Sequence, residues 1–528
     1  MRSRVRVSSI GTGCGWEYPT LPDWPGHRNA AMIRAASSPQ YRIRLDPILR
    51  PATINFQFYQ MLQEPMMNRS LRIGVVAGVL SAAVAVALPM SALANPFEST
   101  LPNGMKLIVK EDRRAPSVVH MVWYKVGAMD EVDGTSGVAH LLEHMMFKGT
   151  KRVGPGQFNK QVAAVGGRDN AFTSYDYTAY FQQVPKEALG KMMALEADRM
   201  AHLQVTDDSF KKEIEVVKEE RRLRTDDKPR SLVVEQLMAT AFQAHPYRRP
   251  IIGWMSDLDN MTAQDARDWY QRWYVPNNAT LVVVGDVDHR DVFKEAQRSY
   301  GQIKTRALPA RKPLVEPEQT GARRTVVKAP ADLPYVALAW RVPTLRNVKA
   351  DGDFYALQVL AAVLDGYDGA RLAKNIVRGS RVAVTAGAGY DGTARGESLF
   401  ILDGAPAQGK SVADVEAALR AEIARIQNDG VSEDELRRVK VQAVAGQVYK
   451  RDSLMGQAME IGMDEMVGLS WKDDAEMLER IRAVSAAEVQ AVAKKYFRDD
   501  TLTVAQLDPL PIDPQARAKA AAAAPHHH

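Results

Sequence analysis

The feature that most limits what this chain can fold into is that its second part repeats its first. Val205-Thr206-Asp207-Asp208-Ser209-Phe210-Lys211-Lys212 is echoed by Val431-Ser432-Glu433-Asp434-Glu435-Leu436-Arg437-Arg438, 226 residues further on. Each string is a polar N-cap, then acids in the first turn where they suit the helix dipole, then a long amphipathic run. A second echo runs from Trp273-Tyr274 through Thr280-Leu281-Val282-Val283-Val284. It returns at Tyr496-Phe497 through Thr501-Leu502-Thr503-Val504-Ala505, with the strands offset by 221 residues. Both are a helix end, a polar turn and a β-rich strand. Val118–Val126 against Val336–Val342 is a weaker third echo near the same offset. Such a duplication asks for two copies of one fold, and 528 residues are enough to bury two cores.

Within the first copy, Lys106–Lys110 and Val118–Val126 read as adjacent strands joined by an Arg113-Arg114-Ala115-Pro116 turn. A helix is expected from about Gly137, capped by Thr135 or Ser136. Ala171–Gln183 reads as a further polar-aromatic strand, and helices follow. Strand runs followed by helix runs predict an α+β protein: two duplicated domains, each a mainly antiparallel sheet with helices packed against it. The expected bounds are 95–304 and 321–510, joined by a linker at 305–320 that carries Pro309, Pro313 and Pro317. Residues 511–528 read as a disordered tail. Its terminal His526-His527-His528 is no site, because no scaffold orients it.

The formal charge of +6 lies entirely in the first 94 residues, and the remainder carries 59 charges of each sign. A neutral body removes nucleic acid as a partner. Met67-Asn68-Arg69-Ser70-Leu71-Arg72 is a short basic start, Ile73–Leu88 an apolar run, and Ala92-Leu93-Ala94 a small-x-small site. Residues 67–94 therefore read as a secretory signal cleaved between Ala94 and Asn95, leaving no stable membrane anchor. Residues 1–66 read as a mis-called extension, with translation starting at Met66 or Met67. The mature chain is expected in the periplasm or secreted. The one cysteine of the full sequence, Cys14, falls in the extension, so the mature chain has none and any metal must be held by histidine and carboxylate.

The chemistry is concentrated in Gly137-Val138-Ala139-His140-Leu141-Leu142-Glu143-His144-Met145-Met146-Phe147. On a helix His140 and His144 share a face and can turn imidazole nitrogens to one ion, with Glu143 bordering that face. Two core histidines with a chance glutamate are the bland alternative, and a third ligand would separate the readings, because catalytic zinc takes three protein ligands. The predicted helix Ser209–Arg224 offers Glu213 and Glu220, two turns apart on one face, besides Glu215 and Glu219.

These residues, with Gly166-Gly167-x-x-Asn170-Ala171-x-Thr173, Asp176-x-Thr178-x-Tyr180, and Val216-Val217-Lys218-Glu219-Glu220-Arg221-Arg222 followed by Asp226-Asp227-x-Pro229, resemble the pitrilysin/insulinase family. That family includes the mitochondrial processing peptidase, and the short bacterial members are most similar. The resemblance runs from about Asn95 to Asp508. It implies His140, His144 and Glu220 as ligands of one Zn2+ per chain, Glu143 as general base, and Glu213 as a carboxylate supporting the site. It also implies an edge strand at Asn170, Ala171, Phe172 and Thr173 that pairs with an extended peptide substrate.

In the second copy an offset near 224 from His140 falls at 362–368, without His or Glu, and the counterparts of Glu213 and Glu220 are Val439 and Gly446. One metal site per chain follows. In the family this second wall often contributes an Arg and a Tyr to substrate. Tyr390 and Arg395 lie in the corresponding region without a firm alignment to that pair, which leaves open a homodimer, or a heterodimer with a related subunit, as the source of those groups. The function implied is zinc metalloendopeptidase action on short or unfolded peptides. The alternative is a catalytically silent member serving as an assembly or peptide-binding subunit, and the complete ligand and base set favours the enzyme.

Overall fold

The computed structural model describes residues 96–513; the extension 1–66, the signal 67–94 and the tail beyond Asp513 lie outside the described residues. The first half builds a sheet from β1 (Phe97–Thr100), β2 (Lys106–Glu111), β3 (Ser117–Tyr124), β4 (Arg168–Thr173), β5 (Thr178–Pro185) and β6 (Ala279–Gly285). Its order is β1-β2-β6-β3-β5-β4, antiparallel except for the β2–β6 pair. Helices α1 (Val138–Met145), α2 (Gln157–Ala163), α3 (Leu189–His202), α4 (Asp207–Arg221), α5 (Pro229–Ala241), α6 (Met255–Asn260), α7 (Ala263–Trp273) and α8 (His289–Tyr300) complete it.

The second half repeats this plan with β7 (Arg323–Pro330), β8 (Tyr335–Val342), β9 (Ala383–Tyr390), β10 (Ser398–Pro406) and β11 (Leu502–Leu510), ordered β7-β11-β8-β10-β9. Here β7–β11 is the parallel pair. Its helices are α9 (Gly352–Asp365), α10 (Val412–Asp429), α11 (Glu433–Asp452), α12 (Leu454–Val467), α13 (Asp474–Ala483) and α14 (Ala486–Tyr496). The fold is α+β and duplicated. The three sequence echoes fall on α4/α11, β6/β11 and β3/β8.

Two strand expectations are corrected. β2 and β3 are not neighbours, because β6 lies between them. Every residue of β6 is buried, so it needs backbone partners on both sides, and a central slot supplies them. Ala171–Gln183 is not one strand but part of the β4–β5 hairpin, turned where the Ser174 N–H donates to the Tyr177 carbonyl at 2.8 Å. That turn contains neither Gly nor Pro, so the polar-aromatic alternation masked it.

The two halves exchange helices. α5 packs its Val233, Leu237 and Ala241 on the second sheet, against Ala337, Ala339 and Leu507. In return α12 packs Ala458, Met459 and Ile461 on the first sheet, against Met121, Trp123 and Val282. Gly462 is required there: a Cβ would sit 2.0 Å from the Trp123 ring. Each sheet is thus covered on one face by its own helices and on the other by a helix from the opposite half.

Residues 305–320 carry no helix or strand but are held firmly. The Glu316 carboxylate accepts the N–H groups of Gln243, Ala244 and His245 at 2.6–2.8 Å, and Arg311 donates to Asp130 at 2.7 Å. Among the described residues no helix is long and apolar enough to cross a membrane.

Candidate metal centre

The helix that carries the histidine pair begins where the sequence suggested but is capped differently. Its N-cap is Gly137 at φ +90°, and neither Thr135 nor Ser136 caps it through a side chain. The carboxylate of Glu131, six residues upstream of Gly137, accepts the N–H groups of Gly137 and Ala139 at 2.9 Å each. Ser136 is diverted, its hydroxyl donating to Asp257 at 2.6 Å. Burial pushes the Glu131 carboxyl up to about 8, against the pull of its two N–H donors. A side chain at Gly137 would collide with the Ile252 carbonyl at 2.5 Å, so glycine lets the 252–253 loop lie on the helix start.

The same loop holds the second element of the site. Arg221, at the end of α4, donates to the Gly253 carbonyl at 2.8 Å and to both oxygens of Glu235 at 2.8 and 3.0 Å. α4 is capped by Thr206 and ends at Arg221, short of the predicted Arg224; a π-helical turn, Arg222–Asp226, follows it. π-turns are uncommon and recur at functional sites.

Between these anchors α1 and α4 converge. Glu220 Oε2 lies 3.2 Å from His144 Nε2 and 3.7 Å from His140 Nε2. Glu220 Oε1 faces away and accepts from Arg224 at 2.8 Å. His144 Nδ1 is 3.0 Å from Glu213 Oε1, and Lys148 donates to the other Glu213 oxygen at 2.6 Å. His140, His144 and Glu220 form a group whose ligand atoms lie within 4.8 Å of one another. Glu215 and Glu219, the other glutamates of α4, pair outward with Lys218 and Arg222.

The electrostatics separate the four groups. Burial holds the His140 imidazole down to about 4, with nearby His144 adding to the effect. Burial also opposes charge on His144, but the carboxylates of Glu213 and Glu220 outweigh it and raise it to about 9. Burial would raise Glu220, yet His144, His140 and Arg224 together pull it down to about 2. Glu143 is pushed up to about 7 by burial, although a hydrogen bond from Thr173 opposes that.

The donor set fits zinc: two imidazole nitrogens and one carboxylate oxygen, with the Glu213 carboxylate behind His144 to fix its ring. One feature departs from the usual pattern, since His140 Nδ1 is buried without a hydrogen-bond partner among the described residues. Among the described residues the other such grouping is Glu111, Asp288 and His289. It has a structural explanation: Asp288 caps α8 and pairs with Arg290, while Glu111 accepts from the backbone and ring of His289.

The predicted substrate strand lies beside this site. β4 is the edge of its sheet, so among the described residues no strand pairs with one side of its backbone. Asn170 is exposed and Phe172 packs edge-on against Trp123 at 5.4 Å, on the face covered by α12. Ala171 and Thr173 alternate to the α1 face, and the Thr173 hydroxyl donates to Glu143 Oε2 at 2.5 Å. Tyr390 and Arg395 are both committed elsewhere. The Tyr390 hydroxyl donates to the Pro343 carbonyl, and Arg395 pairs with Asp130 at 2.8 and 3.1 Å across the two halves.

Among the described residues the second half offers no counterpart. α9 follows β8 as α1 follows β3, but the connection is shorter, so the place of His140 falls near Phe354 rather than at 362–368. α9 contains neither His nor Glu. Val439 is buried and Gly446 faces open space.

Residues 106–254 match Insulinase (Peptidase family M16), and residues 260–442 match the Peptidase M16 inactive domain. The zinc protease PqqE of Helicobacter pylori is 31% identical over 415 residues, covering 78% of this chain and 92% of the relative. A probable mitochondrial-processing peptidase subunit beta of Arabidopsis thaliana is 25% identical over 434 residues, covering 78% of each. The crystal structure of a protease from Helicobacter pylori superposes with a TM-score of 0.75 at 30% identity, covering 79% of this chain and all of that one. The chain belongs to the insulinase family of peptidases, M16.

Proposed function

We propose that the protein is a zinc metalloendopeptidase acting on short or unfolded peptides, with His140, His144 and Glu220 holding the metal. The observation that supports this most is the convergence of His140 Nε2, His144 Nε2 and Glu220 Oε2 with Glu143 alongside. When bound, zinc supplies a Lewis acid that lowers the pKa of a water and polarises the scissile carbonyl. Glu143 takes the water's proton and returns it to the leaving amine. Glu213 holds the His144 ring in place through Nδ1, and Arg224 holds the outer oxygen of Glu220. The open edge of β4 takes an extended peptide as an added strand, which favours main-chain recognition over a narrow side-chain preference.

With Tyr390 and Arg395 tied up internally, a second chain, identical or related, supplies any further substrate-contacting groups. Export through the 67–94 signal places the enzyme in the periplasm or outside the cell. N-terminal sequencing of exported protein should then begin at Asn95.

Glu143→Gln is the direct test of the reaction. It should keep about one zinc per chain while hydrolysis of a quenched peptide falls by about 10²–10⁴-fold. Full hydrolysis by zinc-loaded Glu143→Gln refutes the assignment, and zinc-free wild-type protein favours a silent binding subunit.

A further inference from the structure

Thr173 belongs to the strand expected to touch substrate, but its side chain is almost completely buried, at 1% exposure. It cannot meet a peptide side chain. β4 alternates its residues between two faces, and Thr173 shares the inner one with Ala171, which packs into the core beside α1. From there its hydroxyl reaches one oxygen of Glu143.

We propose that Thr173 is a positioning residue: through its hydroxyl it fixes the Glu143 carboxylate relative to the edge strand on which the peptide lies. This rests on the reading above, in which Glu143 is the general base and β4 receives substrate. The anchor is rigid. Thr173 pairs with Thr178 in the β4–β5 ladder, and the Thr178 hydroxyl in turn donates to the Val126 carbonyl at 3.0 Å. A glutamate has three side-chain torsions, and a hydrogen bond to one oxygen removes most of that freedom. With Oε2 held by Thr173, Oε1 is left to take the proton. The strand that sets where the scissile bond sits therefore also sets where the base sits, so peptide register and base position cannot drift independently. A misplacement of about 1 Å at a reacting group can cost on the order of 10²-fold in rate, so the bond acts on turnover rather than on binding.

The test compares Thr173→Val, which keeps the shape and removes the donor, with Thr173→Ser, which keeps the donor. Both are measured as zinc-loaded full mature chains on one quenched peptide. Thr173→Val should lose about tenfold or more in kcat with KM changed less than about twofold. Its zinc content should stay at one per chain. Thr173→Ser should stay within about threefold of wild type. A Thr173→Val protein with wild-type kcat overturns the proposal, as does a Thr173→Ser protein as impaired as Thr173→Val, which would point to lost methyl packing. If Thr173→Val fails to fold, Thr173→Ala against Thr173→Ser gives the same reading. Glu143→Gln measured alongside keeps the two claims apart. An active Glu143→Gln removes the base assignment itself, whereas an inactive one beside an unimpaired Thr173→Val removes only the tether.

Discussion

The two halves of this molecule share one topology, apart from the added edge strand β1, and have opposite chemistry. α4 and α11 begin with matched caps, at Thr206 and Ser432, and each feeds a helix that crosses to the other half's sheet. Yet α4 turns Glu213 and Glu220 towards the histidines of α1, while α11 carries Val439 and Gly446 and faces a helix without histidine. The fold therefore needs the cap, the amphipathic stripe and the exchange, all of which both halves keep. It does not need the carboxylates. A charge pattern present in one copy and missing from the other, at equal topology, is chemistry rather than architecture.

The largest effect should come from removing what only the first half has. His144→Ala or Glu220→Gln should lower zinc affinity by at least about 100-fold in a chelator competition, with the fold retained by circular dichroism. Conversely Gly446→Glu, which restores the carboxylate on α11, should leave the stoichiometry at one zinc, because no histidine pair faces it. A second zinc in that variant breaks the comparison.

The shared exchange can be stressed separately. Gly462→Ala pushes a methyl into the Trp123 indole and should cost about 1–3 kcal/mol in denaturant unfolding. A neutral result would mean that α12 does not seat on the first sheet as described.

Two carboxylate sites, one in each half, also titrate in opposite directions. Glu220 is pulled down by the cations around it, whereas burial raises Asp464 well above its usual range and Asp474 to about 6. Glu460 adds repulsion there, and Lys110, Lys450 and Arg451 only partly offset it. For a carboxyl raised on folding, the native state holds a proton that the unfolded chain has released. Its stabilisation is complete below about pH 4 and is lost as the pH rises through about 6. Asp474→Asn should remove this loss and gain ~1–2 kcal/mol at pH 8 relative to its difference at pH 4. An unchanged pH dependence of unfolding contradicts it. The smallest expected effect is Gly446→Ala, with nothing within 4 Å of the new methyl. Helix propensity alone predicts a gain of about 0.5–1 kcal/mol.

How much of this the sequence disclosed follows from the range of each signal. The histidine pair and Glu143 were visible because helical spacing is local, and the caps of α4 and α11 for the same reason. Glu220 entered through resemblance, because no spacing rule joins it to a helix about eighty residues earlier. The slot taken by β6, between β2 and β3, was hidden because strand order is a long-range choice. Glu131 was missed because it caps α1 from an irregular segment six residues ahead of Gly137, outside any capping pattern. Thr173 was placed on the right strand, but the role of a strand residue depends on which face it takes, and the unrecognised turn at Ser174–Tyr177 obscured that.

In the proposed function two imidazoles and the Glu220 carboxylate share one ion. An anomalous-scattering map collected at the zinc edge from crystals of the purified chain tests it most directly. One peak per chain is expected, about 2.0–2.2 Å from nitrogens of His140 and His144 and an oxygen of Glu220. A map with no peak there, or with its peak at Glu111, Asp288 and His289 instead, contradicts it.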